Sequence, residues 1–342
     1  MNCEGRKHKM NDSEAKSLGR ITVSGNEFRV NGSRIWINGA NTPWKKWNEF
    51  GGDFDFEWWD NHFKELHENG VNATRVWITC NGEVGVLIRE DGTILGATDK
   101  HWVDVDSLFD IALRHRIYIM ATLISFDHFK THHENYNSWR KMIQSTETID
   151  SYVENYLMPF LNRYKDNPAL WSIDLCNEPD WVHQNPECGY MPWEDLNNFF
   201  ARCAAAIHKN SSVLVTVGMG IVKNYEKVND ATLKAAYNDP AAYLDFYSPH
   251  YYPWMDKHFG IPFYMTPEEY KIDSSKPIVI GECPATASTN HTLVEDYENA
   301  FLNGYQGVMP WTSSGIDRCG SFEDMREAVN TFRRNHPELI LP

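Results

Sequence analysis

The stretch ALWSIDLCNEP, residues 169–179, decides how the rest of the chain reads. Its first seven residues form a short, mostly apolar run without polar/apolar alternation, the pattern of a parallel strand buried on both faces. The run ends at Asn177-Glu178-Pro179, so a carboxylate stands directly after a buried strand. PIVIGECP, residues 277–284, repeats the arrangement, with an apolar strand over 277–281 and then Glu282. Working outward, runs of the same kind lie at 34–38 (RIWIN), 72–78 (NATRVWI), 117–124 (IYIMATLI), 213–217 (VLVTV), 243–248 (YLDFYS) and 306–311 (QGVMPW).

Amphipathic helical patterns lie between the strands. Phe56, Trp59, Phe63 and Leu66 share one stripe, closed by Gly70. Val105, Leu108, Phe109 and Ala112 form a second. Ile149, Val153, Tyr156, Phe160 and Tyr164 form a third, in which Pro159 predicts a kink or a division. Leu196, Phe199, Cys203 and Ile207 form a fourth. Segments 226–237 and 267–272 are the weakest, the latter opened by Thr266 and Pro267 as N-cap and first residue. Leu293, Tyr297, Ala300 and Phe301, and then Phe322, Met325, Val329 and Phe332, complete the set. Ser321 opens the last helix, with Asp324 three residues on.

Strand–helix units in one uninterrupted series, with no Pro/Ser linker and no change of composition, imply a single (β/α)₈ TIM barrel over residues 20–342. An open doubly wound sheet would need a Gly-rich phosphate turn after its first strand, and Gly39-Ala40-Asn41-Thr42 is not one. Residues 1–19 are expected to be a disordered leader. Ile21–Val23 and Phe28–Val30 flank Ser24-Gly25-Asn26-Glu27 as a small N-terminal β-hairpin, suited to covering the bottom of the barrel.

A net charge of −15 disfavours nucleic acid and anionic membranes as partners, because both require clustered Lys and Arg; it suits a neutral ligand at least as well as a cationic one. No run approaches the 18 apolar residues of a membrane span. Met1–Lys16 lacks an apolar core, so compartment stays open: secretion if a leader has been removed, the cytoplasm otherwise. Cys3, Cys80, Cys176, Cys188, Cys203, Cys283 and Cys319 are scattered without a zinc or disulfide pattern, and most read as small buried apolar residues. A monomer is expected. The 13 Trp, 16 Tyr and 17 Phe are chiefly accounted for by core and barrel-helix packing, and those left exposed are the usual platforms for flat ligands.

Barrel enzymes carry their chemistry at the C-terminal ends of the strands. Arg75, Trp77 and Thr79 stand there for strand two, and Asp127-His128 for strand three. Strand four gives Asn177-Glu178, strand six His250-Tyr251-Tyr252-Pro253-Trp254, strand seven Glu282 and strand eight Trp311. Retaining glycoside cleavage needs two carboxylates about 5–5.5 Å apart, one protonated and one ionised. An ordinary Glu belongs to a surface ion pair, but an unpaired charge after a buried strand is costly. Paired, working carboxylates are the better account of Glu178 and Glu282.

The neighbours suit that chemistry. Asn177 can bond a sugar 2-hydroxyl. Arg75 can hold a carboxylate ionised, the alternative being a structural ion pair. Tyr252 can donate to the same carboxylate. Trp311 offers a flat floor, and Trp44, Trp181 and Trp254 offer further stacking surfaces, with core or loop packing as the alternative for each. His132-His133-Glu134 invites a metal reading, but adjacent loop histidines point apart, so neither a metal nor an organic cofactor is implied.

On these residues the chain resembles glycoside hydrolase family 5, of the clan that uses glutamates after strands four and seven, over about residues 20–337. Asn177-Glu178-Pro179 is similar to the family's strand-four signature and His250-Tyr251-Tyr252 to its strand-six pattern. Gly281-Glu282, Arg75 and Trp311 match at strands seven, two and eight, and His128 loosely matches a strand-three histidine. The resemblance implies Glu178 as acid/base and Glu282 as nucleophile, with His250 and Tyr252 orienting substrate and nucleophile. Many cellulases of the family follow the nucleophile with Phe-Gly; here Cys283-Pro284 follows.

The expected activity is therefore retaining, endo-acting hydrolysis of a neutral β-1,4-linked plant polysaccharide. β-Mannan or glucomannan stands ahead of an endo-β-1,4-glucanase acting on cellulose or lichenan. An exo-β-mannosidase or β-glucosidase would require a wall at one end of the cleft, for which the 79–101 insertion, with its Ile88-to-Ile94 hairpin around Asp91-Gly92, is the candidate. A non-catalytic carbohydrate-binding barrel is disfavoured by the presence of both glutamates. A metal-dependent hydrolase is disfavoured by the lack of a His/Asp cluster at the strand ends.

Overall fold

The computed structural model describes residues 18–286 and 291–340. An antiparallel meander of β1 (Ile21–Ser24), β2 (Glu27–Val30) and β3 (Ser33–Ile35) opens it. The expected hairpin thus has a third strand, which takes the first half of the 34–38 run. Asn31 and Gly32 both have positive φ (51° and 84°), as the favoured two-residue hairpin turn requires. Phe28 sets its edge against Trp171 and Phe246 at 5.4 and 5.3 Å, closing the bottom of the barrel. Truncating such a fully buried Phe costs about 3–5 kcal/mol. Residues 1–17 of the expected leader, Cys3 among them, lie outside the described residues. Leu18 is buried, and the Gly19 carbonyl accepts from Tyr118.

The barrel is built from β4 (Ile37–Asn41) and β5 (Ala73–Trp77), then, after an insertion hairpin of β6 (Val86–Ile88) and β7 (Ile94–Ala97), β8 (Tyr118–Thr122) and β9 (Leu170–Asn177). β10 (Leu214–Met219), β11 (Ser248–Pro249), β12 (Val279–Ile280) and β13 (Gly307–Val308) complete it. The eight strands pair in parallel in the order β11-β10-β9-β8-β5-β4-β13-β12. Bonds from Val279 N to Tyr247 O and from Tyr251 N to Glu282 O, both 2.9 Å, join the two ends. The sixth strand is shorter than the 243–248 run and begins later. There the Asp245 carboxylate, not a backbone carbonyl, takes the bond from Val215 N at 2.7 Å.

The helical stripes face the strands as expected, with one exception: Phe56 opens its helix (Phe56–Glu68) and is exposed, while Trp59, Phe63 and Leu66 are buried. The third pattern is divided as Pro159 requires. Two α-helical pieces, Thr146–Tyr152 and Met158–Tyr164, flank a π turn at Val153–Leu157, which absorbs the missing donor by one wider turn. Segment 267–272 is only a turn, ended by Lys271 at φ 66°. The insertion hairpin does not wall the cleft. It lies on the outer helices, bonded from Ile94 N to Ser151 Oγ and from Asn155 Nδ2 to Ile94 O, and the residues lining the cleft include none from 79–101.

Candidate active site

The C-terminal strand ends surround an open cavity of about 590 Å³, with Glu178 and Glu282 at its base. One carboxylate oxygen from each glutamate and a His250 ring nitrogen lie within 4.8 Å of one another. That spacing fits a retaining pair, whose carboxyls stand about 5–5.5 Å apart, better than the inverting arrangement at about 6.5–9.5 Å. The three side chains also have the donor set of a cation site. Each invoked group is nonetheless turned to a neighbour within the protein: His250 Nδ1 to Glu178 Oε1 at 2.9 Å, and Glu282 to Arg75 and Tyr252.

Arg75 organises the base of the site. It is fully buried and bonds Glu282 Oε1 at 2.6 Å, Asn177 Oδ1 at 2.8 Å and Asn41 Oδ1 at 3.4 Å. Its Nε and Nη2 both reach Asp174 Oδ2, at 3.0 and 2.7 Å, and its guanidinium lies 4.1 Å from the Trp77 ring centre. Asp174 was not singled out from the sequence, although a charge in the middle of an apolar strand already signals a buried partner. A register shift between β9 and β10 explains how Asp174 and Asn177 reach one guanidinium: Thr216 pairs with Asp174 but Gly218 pairs with Asn177. The extra residue in β9 moves the side-chain alternation on by one. Gly218 lies beneath the cluster, where a Cβ would come within 2.8 Å of Arg75 Nη2 and 2.9 Å of His250 Nε2.

The two carboxyls are distinguished by their surroundings. Burial lifts Glu178 to about 7, against the pull of the Trp181 N–H and Arg75. Burial raises Glu282 as well. A charged His250 would oppose this, but burial lowers its imidazole to about 4, so near neutrality the opposing groups are Arg75 and the Tyr252 hydroxyl. The direct Arg75 bond and the Tyr252 bond to Oε2 at 2.8 Å favour the charge on Glu282. Of two close carboxyls in unequal settings, Glu178 is then the one better suited to hold a proton.

Asn177, Tyr252, Trp44, Trp254 and Trp311 line the cavity as the sequence suggested. Trp311 is mostly buried on Trp77, with ring centres 5.0 Å apart, so floor and core are one surface here. Arg75 and His250, both fully buried, do not line the cavity; their side chains bond Glu282 and Glu178 respectively. His128 is withdrawn further. Its Nε2 meets Thr79 Oγ1 at 3.0 Å, its Nδ1 meets Ser125, and burial lowers it to about 3. It is fully buried, props the strand-three loop and does not line the cavity. Cys283 is also fully buried and absent from the lining, so the departure at Cys283-Pro284 does not itself read the sugar. Asp127, Lys130, His132, His133 and Asp317 do line the cavity. The first four share the loop after β8, where the sequence singled out Asp127 and the His132-His133 pair, and Asp317 joins them from beyond β13.

A family model described as Cellulase (glycosyl hydrolase family 5) matches residues 28–309. The mannan endo-1,4-beta-mannosidase of Mytilus edulis is 26% identical over 334 residues, covering 87% of this chain and 89% of that protein. That of Cryptopygus antarcticus is 24% identical over 366 residues, covering 94% and 92%. The crystal structure of endo-1,4-beta-mannanase from Eisenia fetida superposes with a TM-score of 0.81 at 21% identity, covering 92% of this chain and 95% of that one.

Proposed function

The chain belongs to glycosyl hydrolase family 5, and on that footing we propose that it is a retaining endo-β-1,4-mannanase. The observation that carries the chemistry is the pair Glu178 and Glu282, with oxygens within 4.8 Å of each other at the base of an open cavity. Glu282 attacks the anomeric carbon while Glu178 protonates the departing glycosidic oxygen, giving a covalent glycosyl-enzyme. Glu178 then takes a proton from water as that water displaces Glu282. Tyr252 and Arg75 hold the two oxygens of Glu282 and so aim the nucleophile.

Asn177 Oδ1 is engaged by Arg75, and its Nδ2 makes only a long 3.4 Å contact to Ser125 Oγ. That amide is thus left to bond a 2-hydroxyl, a contact that strengthens toward the transition state. Aromatic faces at Trp44, Trp254 and Trp311 suit neutral hexose rings. The choice of mannan over β-glucan rests on the names of the relatives, mannan endo-1,4-beta-mannosidases matched over most of their length. Endo action is supported by the open cavity and by the packing of the 79–101 insertion away from it.

The test is reducing-sugar release from galactomannan, glucomannan, carboxymethyl cellulose, lichenan and xylan, with product lengths resolved. Short oligosaccharides of mixed length from the two mannans are expected. Release from carboxymethyl cellulose or lichenan with the mannans intact would overturn the mannanase reading. Monosaccharide as the sole early product would overturn endo action.

A further inference from the structure

The helix Pro179–Gln184 starts from Glu178, whose own backbone is left-handed at φ 48° and ψ 58°. This turn folds the chain back so that residue 181 lies over the carboxyl it follows, and Trp181 Nε1 donates to Glu178 Oε2 at 2.8 Å. The other oxygen is enclosed: His250 Nδ1 lies 2.9 Å from Oε1, and a Cβ on Gly220 would come within 3.1 Å of it. Oε2 is therefore the oxygen presented to the cavity, which Glu178 and Trp181 both line. The Trp181 ring also stands beside that of Trp254, with centres 6.2 Å apart.

We infer that Trp181 is a positioning residue for the acid/base, its indole N–H aiming Oε2 of Glu178 at the leaving oxygen and stabilising the carboxylate left behind. The inference rests on the reading of Glu178 as acid/base. In the first half-reaction the Oε2–H bond breaks and the proton goes to the glycosidic oxygen. That oxygen keeps the electron pair of its broken bond to C1, and Glu282 forms the new bond to C1. Glu178 is now charged, and the Trp181 N–H remains on it as a charge-assisted donor. In the second half Oε2 takes a proton from water as the water oxygen bonds C1 and Glu282 leaves with its pair. Without the N–H, Oε2 loses the donor that fixes its direction, and the charged form loses a stabilising partner.

Other charged and titratable groups also face Glu178. They are Asp180 on its own helix, Arg75 on β5, Asp174 on β9 and Asp127 after β8. His250 and Tyr252 follow β11, and Glu282 follows β12. Replacing Trp181 by Phe changes none of them, so a shift on that replacement reports the indole N–H. Because the N–H favours the ionised form, its loss raises the acid/base, and the basic limb of the pH profile moves up.

The experiment is kcat/KM against pH for mannohexaose, with Trp181→Phe and with 3-benzothienylalanine at position 181, which keeps the ring shape and removes only the N–H. Both should move the basic limb up by about one pH unit and lower the plateau by about tenfold, with thermal melting unchanged for the benzothienyl form. A basic limb that stays in place in both, whatever happens to melting temperature or KM, overturns the inference. Glu178→Gln separates this from the underlying reading: if Glu178→Gln is inactive on mannohexaose while the limb does not move at position 181, only the role of Trp181 falls. If Glu178→Gln keeps the wild-type rate and profile, the acid/base reading falls and takes this inference with it.

Discussion

Replacing Arg75 by Met should damage stability and chemistry by separable amounts. The guanidinium is the cation shared by Asp174 and Glu282, with side-chain exposures of 0%, 0% and 6% for Arg75, Asp174 and Glu282. Removing one partner of a buried ion pair costs about 3–5 kcal/mol, because the remaining charge is left uncompensated. Asp174 would keep only the Thr122 hydroxyl at 3.2 Å and the backbone N–H groups of Gly218 at 2.9 Å and Cys176 at 3.3 Å. An opposite charge in contact lowers a carboxyl by about 1–3 pH units, so Glu282 should rise by that amount when Arg75 is lost. The sign follows directly: the nucleophile must be ionised, so the acid limb of kcat/KM moves to higher pH. Glu178, at about 7 with Arg75 present, also feels that cation but has no direct bond to it, so it rises less than Glu282; the two limbs approach, and the fraction of enzyme in the productive protonation state falls about 10-fold or more.

Urea unfolding followed by tryptophan fluorescence gives the first quantity, and the pH profile on a soluble manno-oligosaccharide gives the second. Adding Asp174→Asn should restore part of the stability, since the fully buried Asp174 charge is then no longer stranded, but should leave the acid limb displaced, because Glu282 still lacks its cation. A single mutant within about 1 kcal/mol of the parent, or an acid limb that does not move, would refute the account of Arg75.

Other substitutions test single contacts. Glu282→Ala should abolish turnover and be rescued by azide, giving the glycosyl azide of inverted configuration, whereas Glu178→Ala should retain activity on substrates with an activated leaving group; product analysis with the reverse pattern would exchange the two roles. Tyr252→Phe removes the hydroxyl bonded to Glu282 Oε2 and should lower kcat by about 10–100-fold with little change in melting temperature, so an unchanged kcat would remove Tyr252 from the aim of the nucleophile. Trp311→Ala should weaken turnover by more than it weakens folding, despite the packing of Trp311 on Trp77 and Trp44. Wild-type kinetics in a destabilised but folded variant would make it a core residue alone.

The barrel and both glutamates were legible because they depend on local pattern. An apolar run without alternation identifies a strand covered on both faces, and repetition of such runs with amphipathic helices leaves one compact closure. Glu178 and Glu282 stood out because each follows such a strand with no intervening turn. The boundary at Ile35–Ile37 is hidden within one apolar run, although Asn31-Gly32 marks the turn that sends Ser33–Ile35 back to the meander.

What the tertiary structure decided is which polar groups meet. Arg75 bonds Asp174, Asn177 and Glu282, partners 99, 102 and 207 residues away, and a bulge in β9 determines that Asp174 and Asn177 point to the same side. His128 and the 79–101 hairpin were near the site in sequence yet turn away from it, His128 toward Thr79 and Ser125 and the hairpin toward the outer helices. A strand pattern records only that a position is buried. The direction of a side chain at the strand end, and the donor it finds there, depend on register and loop geometry across the whole barrel, because a hydrogen bond is satisfied within a few tenths of an ångström and a periodicity is not.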